Sequence, residues 1–173
     1  RQNDISTVAT YLNGFIRHCR TVRLANFAQL VNAIAPIFTS TQGLFLQTIY
    51  HPLRLYAEHT LGTALDVHVD CPMYDLPPER ESESAGRVHH VADLGPFALL
   101  DATATCDTAA STLTLAVVNR DRDRGHTATI DLGGAEVAGG LQVSEVTGPD
   151  VGAMNSFERP DVVGVRERQV DST

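Results

Sequence analysis

Tryptophan and lysine are both missing from the 173 residues, aromatic side chains make up only 6% of them, and the three cysteines, Cys19, Cys71 and Cys106, stand far apart. Each shortage excludes something. An odd number of cysteines with no CxxC pair indicates neither a disulfide framework nor a thiolate metal site, and agrees with a reducing compartment. With 21 acidic against 13 basic residues, a net charge of -8 provides no electrostatic footprint for a nucleic-acid backbone. Nucleic acid is therefore not an expected partner. No apolar run approaches the roughly 18 residues that a bilayer-crossing helix needs, so no membrane span is expected. All the basic residues are arginine, and no chemistry follows from that. The chain opens on Arg1 and a polar stretch, which leaves a native start and any leader out of view. What is present, 43% hydrophobic against 20% charged residues, is enough apolar material for a folded core and excludes disorder of the whole chain.

The pattern changes near residue 60. Before it, Asn3 and Asp4 are candidate helix caps, and Ile5, Val8, Leu12, Phe15, Ile16 and Cys19 recur at steps of three and four, with Asn13, Arg17 and Arg20 outside the stripe. That spacing predicts an amphipathic helix. From Val22 to Ile37 apolar and small residues occupy both faces, as in a strand or helix buried on all sides, and Pro36 marks an end. Residues Thr39 to Gly43 form a turn, and Leu44 to His59 returns to a helical pattern with Pro52 as a kink or restart. This front part reads as α/β.

After Gly62 the signal is alternation: Leu65, Val67 and Val69 on one face, Asp66, His68 and Asp70 on the other. Further strands are predicted at 88–91, 97–105, 113–119, 127–132, 141–146 and 162–166, a spacing that argues an antiparallel sandwich. The run Cys71 to Gly86, rich in Pro and Glu, reads as a loop. No fixed-period repeat is present. Because the first 60 residues supply too few elements to cover their own apolar faces, the chain reads as cut from something larger.

Chemically active constellations are few. His68, Asp70 and Cys71 are near in sequence, but alternation puts Cys71 opposite the other two, so a solvated strand face is the favoured reading. His89 and His90 point to opposite sides of a strand, and Glu79, Glu81 and Glu83 lack the ordered spacing and central Gly of a calcium loop. In Arg120-Asp121-Arg122-Asp123-Arg124 each arginine has an acidic neighbour, as at a soluble hairpin tip. No GxSxG elbow occurs. Gln47 stands apart: it opens the second helical pattern, where a carboxamide has no evident surface role, and it offers the donor and acceptor that sugar hydroxyls require. A capping or buried structural glutamine competes with that reading.

The segment from Val22 to Ile37, followed by Leu46-Gln47-Thr48-Ile49-Tyr50-His51-Pro52, resembles the α-L-arabinofuranosidases of glycoside hydrolase family 51. Tyr11 to His18 and Leu115 to Asp121 resemble the same family, so the likeness spans most of the chain. It implies a fold of α/β plus all-β: the last elements of a (β/α)8 barrel over residues 1–60, then an antiparallel jelly-roll-like β-sandwich over 61–173, truncated at both ends. Residues 1–20 would be the helix before the final barrel strand, 22–31 that strand, 32–46 the loop above it and 47–59 the last helix. Barrel active sites lie at the C-terminal ends of strands. The resemblance therefore assigns substrate binding to Gln47, through hydrogen bonds to arabinofuranose hydroxyls, and to Phe45, as a lining of the cleft. Packing against the sandwich is the competing role for Phe45. His51 replaces a tyrosine common in the family.

The activity implied is retaining hydrolysis of terminal arabinofuranosyl groups by two glutamates about 5 to 5.5 Å apart, with no metal or organic cofactor. Glu58 is flanked by Ala57 and His59, and Glu79, Glu81, Glu83, Glu136, Glu145, Glu158 and Glu167 fall in the β half or its loops, so none has the sequence context of that pair; the catalytic groups are expected outside this chain, and the chain alone is expected to be inactive. The partners implied are an arabinofuranosyl oligosaccharide, the remainder of the parent chain and further copies in a homo-oligomer, in the cytoplasm. The alternative is a non-catalytic carbohydrate-binding or assembly module, against which the absence of Trp and the scarcity of aromatics after residue 75 both weigh.

Overall fold

The computed structural model describes residues 2–76, 94–136, 138 and 140–170. Helix α1 spans Gln2–Arg17, with Arg17 favourably placed at its negative C-terminal end. Its inward line is Ile5, Ala9 and Asn13 at four-residue steps, while Tyr11 and Phe15 face outward. Phe15 and Cys19 thus leave the predicted stripe, and Asn13, expected outside it, is 0% exposed. An amide tolerates that burial because its hydrogen bonds are made, as described below.

The strand expected over 22–31 is not formed. Among the described residues this stretch pairs only through an isolated parallel bridge from Val31 to Ile37, and Leu24 and Leu30 stand 78% and 64% exposed. A strand apolar on both faces takes its ladder hydrogen bonds from flanking strands and its cover from both layers, and nothing described beside it supplies either. The segment closes at Asn32 and Ala33, both left-handed at φ 60° and 54°. Asn32 is suited to this because its side-chain oxygen accepts from the Thr39 amide at 2.8 Å.

The predicted loop 32–46 contains a hairpin instead: β1 (Ile37–Ser40) and β2 (Gly43–Leu46), paired antiparallel from Ile37↔Leu46 to Ser40↔Gly43. Its tip coincides with the predicted turn, and Gly43 adopts φ 137°, a conformation that disfavours any side chain. Helix α2 follows at Tyr50–His59. Pro52 lies in its first turn, where the missing amide hydrogen would have had no helical acceptor, so it starts the helix and does not kink it.

Every strand pair among the described residues of the second half is antiparallel, as expected of its all-β part. Strand β3 (Thr63–Leu65) pairs with β6 (Leu100–Asp107), which pairs with β7 (Thr112–Asn119). Two further pairs are β4 (Met73–Tyr74) with β5 (Phe97–Ala98), and β8 (Leu141–Thr147) with β9 (Gly164–Val170). The described residues thus form small antiparallel sheets and two helices. The predicted strand at 127–132 is not formed, and that at 162–166 begins later and runs longer; the one at 88–91 lies outside the described residues. Over residues 66–70 the chain is not paired as a strand, yet Val67 and Val69 stay half-buried while Asp66, His68 and Asp70 are exposed; Leu65, expected on the covered face with the two valines, is exposed instead. The alternation records burial on one side, which does not require a hydrogen-bonded neighbour.

The apolar core joins the two halves. Ile5 of α1 packs with Ala153 and Val163, flanked by Val146 of β8 and Val162. A polar joint lies beside it. Asn13 donates to the Asp101 carboxylate at 3.0 Å and to its backbone carbonyl at 3.2 Å, and accepts from the Tyr56 hydroxyl at 2.6 Å. Asp101 also pairs with Arg17 at 2.8 Å and Arg120 at 3.3 Å. Arg120, expected at a solvated tip, therefore turns inward and cross-links β6 to the end of β7.

Candidate functional site

Gln47 lies between β2 and α2, and its main chain is fixed on every side. Its amide donates to the Pro36 carbonyl at 2.8 Å, and its carbonyl accepts from the Tyr50 amide at 2.9 Å. Pro36 and Thr48 on either side are buried. The Gln47 side chain is half-buried and hydrogen-bonds to none of the described residues. A carboxamide so placed keeps its two donors and its acceptor available to a ligand.

Phe45 lies two residues earlier and is 7% exposed. Its ring stacks on Phe38 of β1, with centroids 5.2 Å apart, and meets Phe157 edge-on at 4.8 Å. Such contacts stabilise the pair beyond the apolar area they bury. In this arrangement Phe45 holds the hairpin against the segment leading into β9.

That segment also reaches the backbone beside Gln47. Asn155 donates to the Leu46 carbonyl at 2.9 Å and to the Val163 carbonyl at 2.9 Å, and accepts from the Val163 amide at 2.8 Å. His51, buried at the start of α2, faces the same place. Burial holds its pKa below the ordinary imidazole value, opposed by a hydrogen bond with the Val163 backbone; the Arg54 charge adds to the depression and Asp161 opposes it. Its Nε2 has no partner among the described residues. The Tyr56 phenol in the Asp101 joint is pushed well above its usual value, first by burial and then by the Asp101 charge, with Arg17 acting the other way. It remains protonated and serves as a hydrogen-bond donor.

The other sequence candidates do not converge. His68 and Asp70 are exposed, and the Cys71 sulfur accepts from the Leu100 amide at 3.4 Å, a contact within the β half. Asp121 pairs with His126 at 2.7 Å and caps the Asp123 and Arg124 amides, so the charged tip is internally neutralised. Among the described residues no group of three His, Cys, Asp or Glu side chains could hold a metal. His89, His90, Glu79, Glu81 and Glu83 lie outside the described residues. Asn155 was not foreseen: an isolated Asn between Met154 and Ser156 carries no spacing signal for a partner 109 positions away.

The family described as the α-L-arabinofuranosidase C-terminal domain matches residues 2–173. Among related proteins, a probable α-L-arabinofuranosidase C of Aspergillus clavatus is 32% identical, the match covering 98% of this chain and 31% of that protein. An intracellular exo-α-(1→5)-L-arabinofuranosidase of Bifidobacterium longum is 35% identical over 73% of this chain and 20% of its own length. The solved structure of a thermostable family 51 α-L-arabinofuranosidase from Thermotoga petrophila superposes with a TM-score of 0.76 at 26% identity, over 95% of this chain and 34% of that one. The chain thus spans about a third or less of the length of the proteins it matches. With two helices and small antiparallel sheets arranged as in that solved structure, and the family match running from residue 2 to residue 173, the chain belongs to the α-L-arabinofuranosidase C-terminal domain family.

Proposed function

We propose that this chain forms the closing wall of the arabinofuranose pocket in a retaining α-L-arabinofuranosidase. Residues 1–60 are the last elements of its (β/α)8 barrel and 61–173 its C-terminal β-sandwich. Gln47 carries the reading: a half-buried carboxamide with no protein partner among the described residues, on a main chain fixed by hydrogen bonds on both sides. A group so held orients sugar hydroxyls without first breaking a protein hydrogen bond. The exposed apolar side chains of Leu24, Phe27 and Leu30 support the barrel assignment, because a final barrel strand over 22–31 would bury them between its neighbours and the helices outside.

The bond is broken by two glutamates carried by other barrel strands. One attacks the anomeric carbon to form an arabinosyl-enzyme while the other protonates the leaving oxygen; the second then deprotonates the water that releases the sugar. The described glutamates are poor candidates. Glu58, Glu136, Glu145, Glu158 and Glu167 are all exposed, and Glu158 is held below the usual carboxylate range by its own backbone amide and the Ser156 hydroxyl, the opposite of what a general acid needs. A carboxylate pair performs this chemistry without a metal or organic cofactor. Gln47 contributes binding and orientation, and Phe45, buried two residues before it, keeps its backbone in place. The substrate class is an oligosaccharide bearing terminal α-L-arabinofuranosyl groups. An intracellular location, as that of the Bifidobacterium longum relative, fits the three free cysteines here.

Replacing Gln47 by Ala in the whole protein tests the assignment. Losing one or two sugar hydrogen bonds costs about 1 to 3 kcal/mol of transition-state binding, so kcat/KM toward an aryl α-L-arabinofuranoside falls roughly 5- to 150-fold. An unchanged kcat/KM removes Gln47 from the pocket.

A further inference from the structure

We propose that Asn155, in the β half of the chain, is a positioning residue for Gln47; the inference rests on the sugar-binding assignment of Gln47. The Leu46 carbonyl and the Gln47 amide belong to one peptide plane. Asn155 donates to that carbonyl at 2.9 Å, and the amide donates to the Pro36 carbonyl at 2.8 Å, so the plane is pinned at both ends. The next plane is held by the Gln47 carbonyl, which accepts from the Tyr50 amide at 2.9 Å, so the two planes together restrict φ and ψ of Gln47 and hence the direction of its Cα–Cβ bond, from which the carboxamide projects.

Asn155 is itself held rigidly. It is 4% exposed, and its two donors and its acceptor are all engaged, with Leu46 on one side and both backbone groups of Val163 on the other. Val163 is 1% exposed within the apolar core, which anchors the clamp to α1 and β8. Phe157, two residues beyond Asn155, grips Phe45 on the same strand of the hairpin. The β half therefore holds two successive residues of β2, one by its ring and one by its carbonyl, immediately before Gln47. Orientation has a steep effect on rate, and a displacement of about 1 Å in a binding group can cost on the order of a hundredfold. The geometry gives the β domain a share in the precision of the pocket without any contact with sugar.

The test is a double-mutant cycle in the whole protein, reading kcat/KM toward an aryl α-L-arabinofuranoside together with thermal unfolding. Asn155→Ala lowers kcat/KM about tenfold or more in the wild-type background. In the Gln47→Ala background the same substitution changes kcat/KM by no more than about twofold, because the group it positions is gone, while its effect on thermal unfolding remains. If Asn155→Ala does not fold, Phe157→Leu enters the same cycle, with a smaller loss that also disappears when Gln47 is Ala. A loss that persists undiminished in the Gln47→Ala background overturns the proposal, since a merely structural role behaves that way. A wild-type kcat/KM for the folded Asn155 or Phe157 variant overturns it as well, with the Gln47 assignment intact. Gln47→Ala with wild-type kcat/KM overturns the sugar-binding assignment, and the positioning role falls with it.

Discussion

Asn13 of α1 donates a 3.0 Å hydrogen bond to the carboxylate of Asp101 in β6, joining residues 88 positions apart at a point where the amide is wholly buried. The same carboxylate receives Arg17 and Arg120, so one anion unites the front helices, the three-stranded sheet and the end of β7. Asp101→Ala leaves Arg120, whose side chain is only 17% exposed, without its counter-charge. Removing one partner of a buried pair costs about 3 kcal/mol, less here because Arg17 is more exposed and recovers solvent. A fall of about 2 to 3 kcal/mol in unfolding free energy is expected from urea titration; a change under about 0.5 kcal/mol would show that the joint contributes nothing.

His51 predicts a pH dependence. Its pKa is lowered in the folded state, chiefly by burial, so the unfolded chain binds the proton more tightly. The stability associated with neutral His51 is fully present above the ordinary value of about 6.5 and is lost as pH falls from there toward the folded-state value. Wild-type unfolding midpoints should drop over that window, and His51→Phe, which has no proton to gain, should flatten the drop. Equal slopes for the two proteins would exclude His51 as the titrating group.

Gly62 enters β3 at φ 86°, and a Cβ there would collide with the backbone of Cys106 and Asp107 on β6. Gly62→Ala adds left-handed strain to a contact that only backbone movement can relieve, for a loss on the order of 2 kcal/mol or more. Calorimetry reads it as a lower Tm; a Tm equal to the wild type would mean that the strand entry is free to shift.

Helix α1 is legible because periodicity reports burial directly, with Ile5, Val8, Leu12 and Ile16 on its covered side, and the predicted turn at 39–43 is the hairpin tip; of the helical pattern over 44–59 only Tyr50–His59 is helix, Leu44 to Leu46 belonging to β2. The failures share a cause. Apolarity on both faces from Val22 to Ile37 predicts a buried strand or helix, and the family resemblance implies a strand over 22–31, but a strand is a property of a pair, and no partner stands beside it among the described residues. Asn13 was placed outside the stripe because polarity predicts exposure, and only the Asp101 carboxylate and Tyr56 hydroxyl, distant in sequence, make its burial tolerable. Arg120 is expected at a solvated tip because its acidic neighbours in sequence cancel its charge, whereas its ion pair is with Asp101. At the site, the Leu46-to-Pro52 motif singles out Gln47, whose sugar-binding role is the proposal made above, whereas Asn155 depends on a contact across 109 positions that no local pattern encodes.

The central claim is that the Gln47 carboxamide binds the sugar, and a crystal structure of the whole protein with L-arabinose bound tests it most directly. The account predicts Oε1 or Nε2 of Gln47 within about 2.7 to 3.2 Å of a sugar hydroxyl, with the Asn155 bond to Leu46 intact. Arabinose seated in the pocket while the Gln47 side chain hydrogen-bonds only to protein would contradict it.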